Sequence, residues 1–275
     1  MKNVIVKLIG GYINFLSLFS KEYAASKAID LFAKPRKGKL TESDDEYLSK
    51  SYQEGIDFED YEIMTYRWPG KNKTVLLAHG WESNSARWEF LIETLKTFDF
   101  NIIAVDAPAH GKSGSKQFNA ILYSQFLNVV SKKFNPDIII GHSVGGMATV
   151  FFQSEFQHEK LNKIITLGAP SEFVSVLERY SDMMGYNTKV RQGIDDFVIK
   201  KYNNPPSYYS GSSFSRKINS TGLIIHDKHD KIIPYQDALL YKEHFPDSSL
   251  ITTEGFGHGL KHKDVTEHIL EFIEA

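Results

Sequence analysis

From residue 61 onward, short apolar runs alternate with longer stretches of helical periodicity. The runs fall at residues 61–68, 74–79, 101–106, 137–142, 163–168, 222–226 and 249–253. Several are continuous rather than alternating: TVLLA, NIIAV, DIIIG, KIITL and GLIIH. Strands covered by helices on both faces read this way, because neither face meets water. Helix candidates lie between them at 86–98, 117–134, 144–157, 235–245 and 265–272. The alternation predicts an α/β fold, a mostly parallel central sheet flanked by helices and joined by right-handed crossovers. In such sheets functional groups gather in loops beyond the carboxyl ends of the strands.

The rhythm breaks twice. After KIITLG ends at Gly168, the next strand candidate begins only near Gly222. The insert reads as two helices, SEFVSVLERYSDMMGY and VRQGIDDFVIKKY, followed by a return loop rich in Pro, Tyr and Ser. An insert of this length between core strands predicts a cap or lid, with a peripheral helical decoration as the plainer alternative. At the other end, Ile5, Leu8, Ile9, Tyr12, Leu16, Phe19 and Tyr23 fall on one helical stripe. The charge-free stretch from Leu8 to Ser20 is short of the roughly 20 residues a membrane span requires. Lys21 and Glu22 follow it where a signal peptide carries a small-residue cleavage site. A helix packed on the domain and a helix lying on a membrane surface through residues 4–19 both stay open. The expected organisation is a helical extension over 1–51 and an α/β domain over 52–275, with the cap insert at 171–217.

Composition removes whole classes of function. The chain has 275 residues with 32 Lys and Arg against 34 Asp and Glu, a net charge of −2, which argues against a nucleic-acid-binding surface. Apolar residues are 41% and charged residues 24%, the balance of a globular chain rather than a disordered one. There is no cysteine, so disulfide scaffolds, thiolate zinc sites, iron–sulfur clusters and a cysteine nucleophile are excluded together.

The loop after DIII reads Gly141-His142-Ser143-Val144-Gly145-Gly146, a G-x-S-x-G between an apolar strand and a helix. A serine on so sharp a strand-to-helix turn projects its hydroxyl above the sheet, and the glycines relieve the crowding of the tight backbone. The following helix offers free N–H groups and the positive end of its dipole to a developing oxyanion. A serine hydroxyl needs a base, and the base a carboxylate to orient it. His258, in EGFGHG after the last strand candidate, is the candidate base. Asp230, far out in the loop of GLIIHDKHDKIIP, is the preferred acid, with Asp227 the runner-up and Glu172 a distant third. An oxyanion hole needs two donors. The N–H of Val144 is one, and the N–H of Trp81, in the loop after TVLLAHG, is the other.

These residues resemble the α/β-hydrolase fold family over roughly residue 56 to the end, through HGWESN, DAPAHGKSG, GHSVGG, HDKHDKIIP and GFGH. The resemblance implies Ser143 as nucleophile, Asp230 as acid and His258 as base, in that chain order. It further implies a cap after the sixth strand and chemistry without a cofactor. Many relatives read D-x-P-G-H-G where Ala109 stands here for the glycine, a departure in a turn rather than in the triad. HGKS at 110–113 resembles the end of a phosphate-binding loop, but Asp106 occupies the required glycine position and would repel phosphate. His110 reads as a structural loop histidine, and HDKHD at 226–230 lacks a further ligand cluster for a metal. The expected reaction is acyl transfer from a small carboxylic ester or thioester to water, with Glu82, Tyr180, Met183 and Tyr208 as pocket candidates. C–C or amide hydrolysis, perhydrolysis and a non-catalytic ligand-binding scaffold are the alternatives. No nucleic acid, metal or membrane span is expected, and the expected compartment is the cytoplasm, with peripheral membrane contact left open.

Overall fold

The computed structural model describes residues 2–275, which divide into two compact units. One unit comprises Pro35–Ser171 and Gly211–Ala275, and the other comprises the chain up to Lys34 together with Glu172–Ser210. The strands are β1 Tyr52–Phe58, β2 Tyr61–Trp68, β3 Thr74–Ala78, β4 Asn101–Val105, β5 Ile138–His142, β6 Lys163–Leu167, β7 Thr221–Asp227 and β8 Ser248–Thr253. The first six helices are α1 Lys2–Leu16, α2 Lys21–Ala33, α3 Glu42–Leu48, α4 Glu89–Thr97, α5 Ala120–Phe134 and α6 Val144–Phe156. They are followed by α7 Phe173–Met184, α8 Thr188–Tyr202, α9 Gly211–Ser215, α10 Gln236–His244 and α11 Lys263–Glu274.

All eight strands form one sheet in the larger unit, in the order β1-β2-β4-β3-β5-β6-β7-β8. β2 is antiparallel to both β1 and β4, and every other pairing is parallel. The continuous apolar runs are buried on both faces, as the pattern requires. Val75, Leu77, Ile138, Ile140, Leu223 and Ile225 pack on one face with Leu91, Ile92 and Leu95 of α4 and Val265, Ile269 and Ile273 of α11. Leu76, Ile103, Ile139, Ile164 and Ile224 pack on the other with Tyr123, Phe126 and Val130 of α5, Val150 and Phe152 of α6, and Tyr241 of α10.

Seven strands follow the sequence pattern, and the eighth, β1, does not show in it. Its residues YQEGIDF lie at the open edge of the sheet and are mostly solvent-exposed, so no buried face imposes an apolar alternation. The stripe read as one helix through Tyr23 is two helices. α1 ends at Leu16, and Ser20 caps α2 by accepting from the Tyr23 N–H. The return loop of the insert carries a short 3₁₀ turn at Pro206–Tyr208 and α9.

Ala109 sits at φ +65°, the left-handed region that favours glycine, with its side chain buried. The departure from D-x-P-G-H-G is therefore a strained one. Ala109→Gly is expected to stabilise the fold by about 0.5–1 kcal/mol, the left-handed strain relieved less the added freedom of the unfolded glycine. The measurement is a thermal melt, and an unchanged or lower midpoint contradicts it.

Candidate active site

Three loops at the carboxyl ends of β5, β7 and β8 converge in the larger unit. The first leaves β5. Ser143 has φ +52° and ψ −128°, donates its N–H to the Leu167 carbonyl at 2.8 Å, and its own carbonyl accepts from Gly146 N–H at 2.9 Å. The turn closes only because the neighbouring glycines have no side chains. A Cβ on Gly145 would lie 2.3 Å from the Ala78 carbonyl oxygen, and one on Gly141 would lie 2.5 Å from the Gly146 Cα.

The second loop leaves β7. Asp230 Oδ1 accepts the backbone N–H groups of Ile232 (2.7 Å) and Ile233 (3.0 Å). Its Oδ2 meets His258 Nδ1 at 2.7 Å and lies 3.5 Å from His226 Nε2. Burial by itself would raise the Asp230 carboxyl, but the hydrogen bonds from His226, His258 and the two backbone N–H groups hold it well below the usual carboxylate range. Asp230 is thus a fixed negative charge.

The third loop follows β8 and carries His258. Its Nε2 lies 3.0 Å from Ser143 Oγ, so an unbroken chain runs Asp230–His258–Ser143. Three tethers hold this loop. His142 Nε2–H donates to the His258 carbonyl (2.8 Å), Arg87 donates to the Gly259 carbonyl (3.0 Å), and the Phe256 N–H donates to Asp227 Oδ2 (2.8 Å). Burial pushes the His142 imidazole well down, so the ring donates this hydrogen bond in its neutral form. Asp227, the runner-up acid, has its carboxylate taken by Phe256, His229 and Thr253 and does not meet His258. Glu172 lies in the other unit and accepts from Ser210 Oγ.

The loop after β3 supplies the remaining wall. A Cβ on Gly80 would stand 2.8 Å from Ser143 Cβ, so the backbone passes directly against the serine. Burial keeps His79 neutral. Its Nδ1–H donates to the Gly80 carbonyl (2.8 Å) and its Nε2 accepts from Ala107 N–H (2.9 Å). In a trans peptide the N–H points opposite to the carbonyl, so pinning the Gly80 oxygen also fixes the direction of the Trp81 N–H. Among the described residues neither Trp81 N–H nor Val144 N–H has a hydrogen-bond acceptor. The Trp81 ring is held by His110 and Phe118 at 5.3 and 5.2 Å between centroids.

The pocket candidates stand in different surroundings. Glu82 has φ +51°; its N–H donates to His110 Nε2 (3.0 Å) and its carboxylate accepts from Arg36 N–H (3.0 Å). Tyr180, Met183 and Tyr208 belong to the smaller unit. Tyr180 is buried, and its hydroxyl bonds the Ala28 carbonyl and the Tyr186 hydroxyl. Met183 and Tyr208 are half exposed. His110 donates to the Pro108 carbonyl and is a loop brace, while Asp106 is fully buried and holds Tyr66, Ser85 and the Lys112 N–H. Among the described residues no three His, Asp or Glu side chains gather as a metal-binding group.

A family model described as alpha/beta hydrolase fold matches residues 73–191. The chain has the alpha/beta hydrolase fold. The chain is 28% identical over 126 residues to a probable serine hydrolase of Drosophila melanogaster, covering 43% of this chain and 38% of that protein. It is 25% identical over 114 residues to a pimeloyl-[acyl-carrier protein] methyl ester esterase of Vibrio atlanticus, covering 40% and 41% of the two. The chain thus spans about two fifths of the length of these curated relatives. An esterase from Exiguobacterium antarcticum superposes with a TM-score of 0.63 at 18% identity, over 82% of this chain and all of that one.

Proposed function

We propose that this alpha/beta hydrolase cleaves a carboxylic ester or thioester through an acyl-enzyme on Ser143. The hydrogen-bonded run from Asp230 through His258 to the Ser143 hydroxyl carries this reading. His258 Nε2 accepts the Ser143 proton as Oγ attacks the acyl carbonyl, and the imidazolium so formed is stabilised by the Asp230 charge. The tetrahedral oxyanion receives the N–H groups of Trp81 and Val144, each contributing about 3–4 kcal/mol in the transition state. The protonated His258 gives its proton to the leaving alcohol or thiol. Water then attacks the acyl-enzyme by the same route, and Ser143 recovers its proton. No cofactor enters these steps.

The test joins two measurements. A fluorophosphonate probe is expected to label the wild-type protein and not Ser143→Ala, and p-nitrophenyl esters of increasing chain length are expected to be turned over by the wild type. No labelling points to a non-catalytic scaffold. Labelling with no turnover of any ester moves the reading to amide, C–C or perhydrolytic chemistry on the same serine.

A further inference from the structure

The smaller unit turns its most apolar helix face outward. Val4, Ile5, Leu8, Tyr12 and Phe15 of α1, with Leu18 and Phe19 in the turn after it and Tyr23 at the start of α2, are each more than half exposed. Ile5, Leu8, Tyr12 and Phe15 follow one another at helical spacings of three and four, and Phe19 extends the row by packing edge-to-face on Phe15. Large apolar side chains exposed together in this way, rather than scattered singly, mark an interaction surface.

The helix cannot turn this face inward, because its other face is keyed to the protein by polar contacts. Asn14 donates to the Gly185 carbonyl (2.8 Å) and accepts the Asn187 N–H (2.9 Å), while Ser17 Oγ accepts from the Asn187 side chain (3.2 Å). At Gly10 the helix backbone comes so close to the end of α7 that a Cβ would stand 1.7 Å from the Met184 carbonyl oxygen. The inner face buries Ile13 and Gly10 beside these polar keys, and a second, bulkier apolar face meets solvent, one more apolar face than an ordinary surface helix carries.

Charge selects the occupant. α1 carries lysine as its only charged residue type, and Lys7 is exposed on it, while Lys21 at the start of α2 is held in an ion pair with Asp196 (2.6 Å). The smaller unit carries ten basic against seven acidic side chains, whereas the chain as a whole is net negative. α1 of a second copy offers no acidic residue to pair with Lys7. No helix among the described residues is long and apolar enough to cross a membrane. Apolar and aromatic residues on one face with the exposed Lys7 beside it fit a helix lying in the headgroup layer. We propose that this face docks the protein on the surface of an anionic lipid bilayer, with α1 lying in the plane of the interface.

Docking is independent of hydrolysis, so its test is independent too. The full chain is floated with vesicles of phosphatidylcholine containing about a third phosphatidylglycerol, and with vesicles of phosphatidylcholine alone, at low and high salt. The wild type is expected to float with the anionic vesicles, at least about tenfold less with the neutral ones, and less at high salt. The triple variant Leu8→Ser, Phe15→Ser, Phe19→Ser is expected to lose at least about tenfold of the binding at an unchanged melting temperature. Should the triple variant fold poorly, Lys7→Glu, on an exposed residue, is expected to reduce binding to the anionic vesicles severalfold and leave binding to the neutral ones unaltered. Wild-type protein that stays with neither vesicle, or a correctly folded triple variant that floats as the wild type does, overturns the proposal. So does a wild-type dimer in vesicle-free buffer that the triple variant converts to a monomer, which assigns the stripe to a second copy of the chain.

Discussion

Ser143→Ala is expected to lower ester turnover by about 10⁵–10⁶-fold, or about 7–8 kcal/mol of transition-state stabilisation. The substitution removes one oxygen, whose contact is the His258 imidazole at 3.0 Å. It leaves the turn intact, since the closing bonds of Ser143 to Leu167 and Gly146 are made by the backbone. Without Oγ no acyl-enzyme forms. The residual rate then comes from substrate binding and the Trp81 and Val144 N–H groups acting on attack by water. Steady-state kinetics on the best p-nitrophenyl ester, with a thermal melt as folding control, measures the loss. A folded alanine variant within tenfold of wild type removes Ser143 from the chemistry.

Asp230→Asn is expected to reduce kcat by about 10⁴-fold, although it is nearly isosteric. The reason lies in the donors around it. The Oδ1 position receives two backbone N–H groups, from Ile232 and Ile233, so the amide of an asparagine must place its carbonyl oxygen there. Its NH₂ then faces His258 Nδ1, which has to accept rather than donate. The imidazole hydrogen moves to Nε2, and the nitrogen facing Ser143 can no longer take a proton. The same substitution has a signature in acid. A carboxyl held below its unfolded value contributes stability that is complete above the unfolded carboxylate range, near pH 4, and is lost as pH falls toward the folded value. Wild-type stability is therefore expected to fall more steeply than that of Asp230→Asn as pH drops from about 5 toward 2. Equal acid slopes, or a variant within tenfold of wild-type kcat, contradict this role.

Much of the site was readable residue by residue because its signals are local. G-x-S-x-G between an apolar run and a helix specifies a sharp turn whatever lies around it, and the structure has that turn at Ser143 with φ +52°. The choice between Asp227 and Asp230 rested on position in one loop, and the two carboxylates in fact serve the same histidine loop differently. Asp230 meets the imidazole, while Asp227 anchors the backbone at Phe256. Nothing in the spacing of His142 or His79 announced that one ties down the His258 carbonyl and the other the Gly80 carbonyl. The first contact depends on how the sheet brings the ends of β5 and β8 together, and the second on how the backbone turns after β3.

The sequence by itself determined the elements whose causes lie within a few residues: the buried strands, the helices between them, and the turn that raises Ser143. Edge strand β1 escaped because its exposed residues are under no demand to alternate, and the outward setting of the α1 stripe escaped because periodicity marks a face without saying what covers it. Only the tertiary structure decided that Ser143 and His258, 115 positions apart, and Asp230 and His258, 28 apart, stand within hydrogen-bonding distance. Chain propensities act on neighbours, whereas the approach of those three side chains is set by strand order and by the backbone tethers that hold each loop end in place.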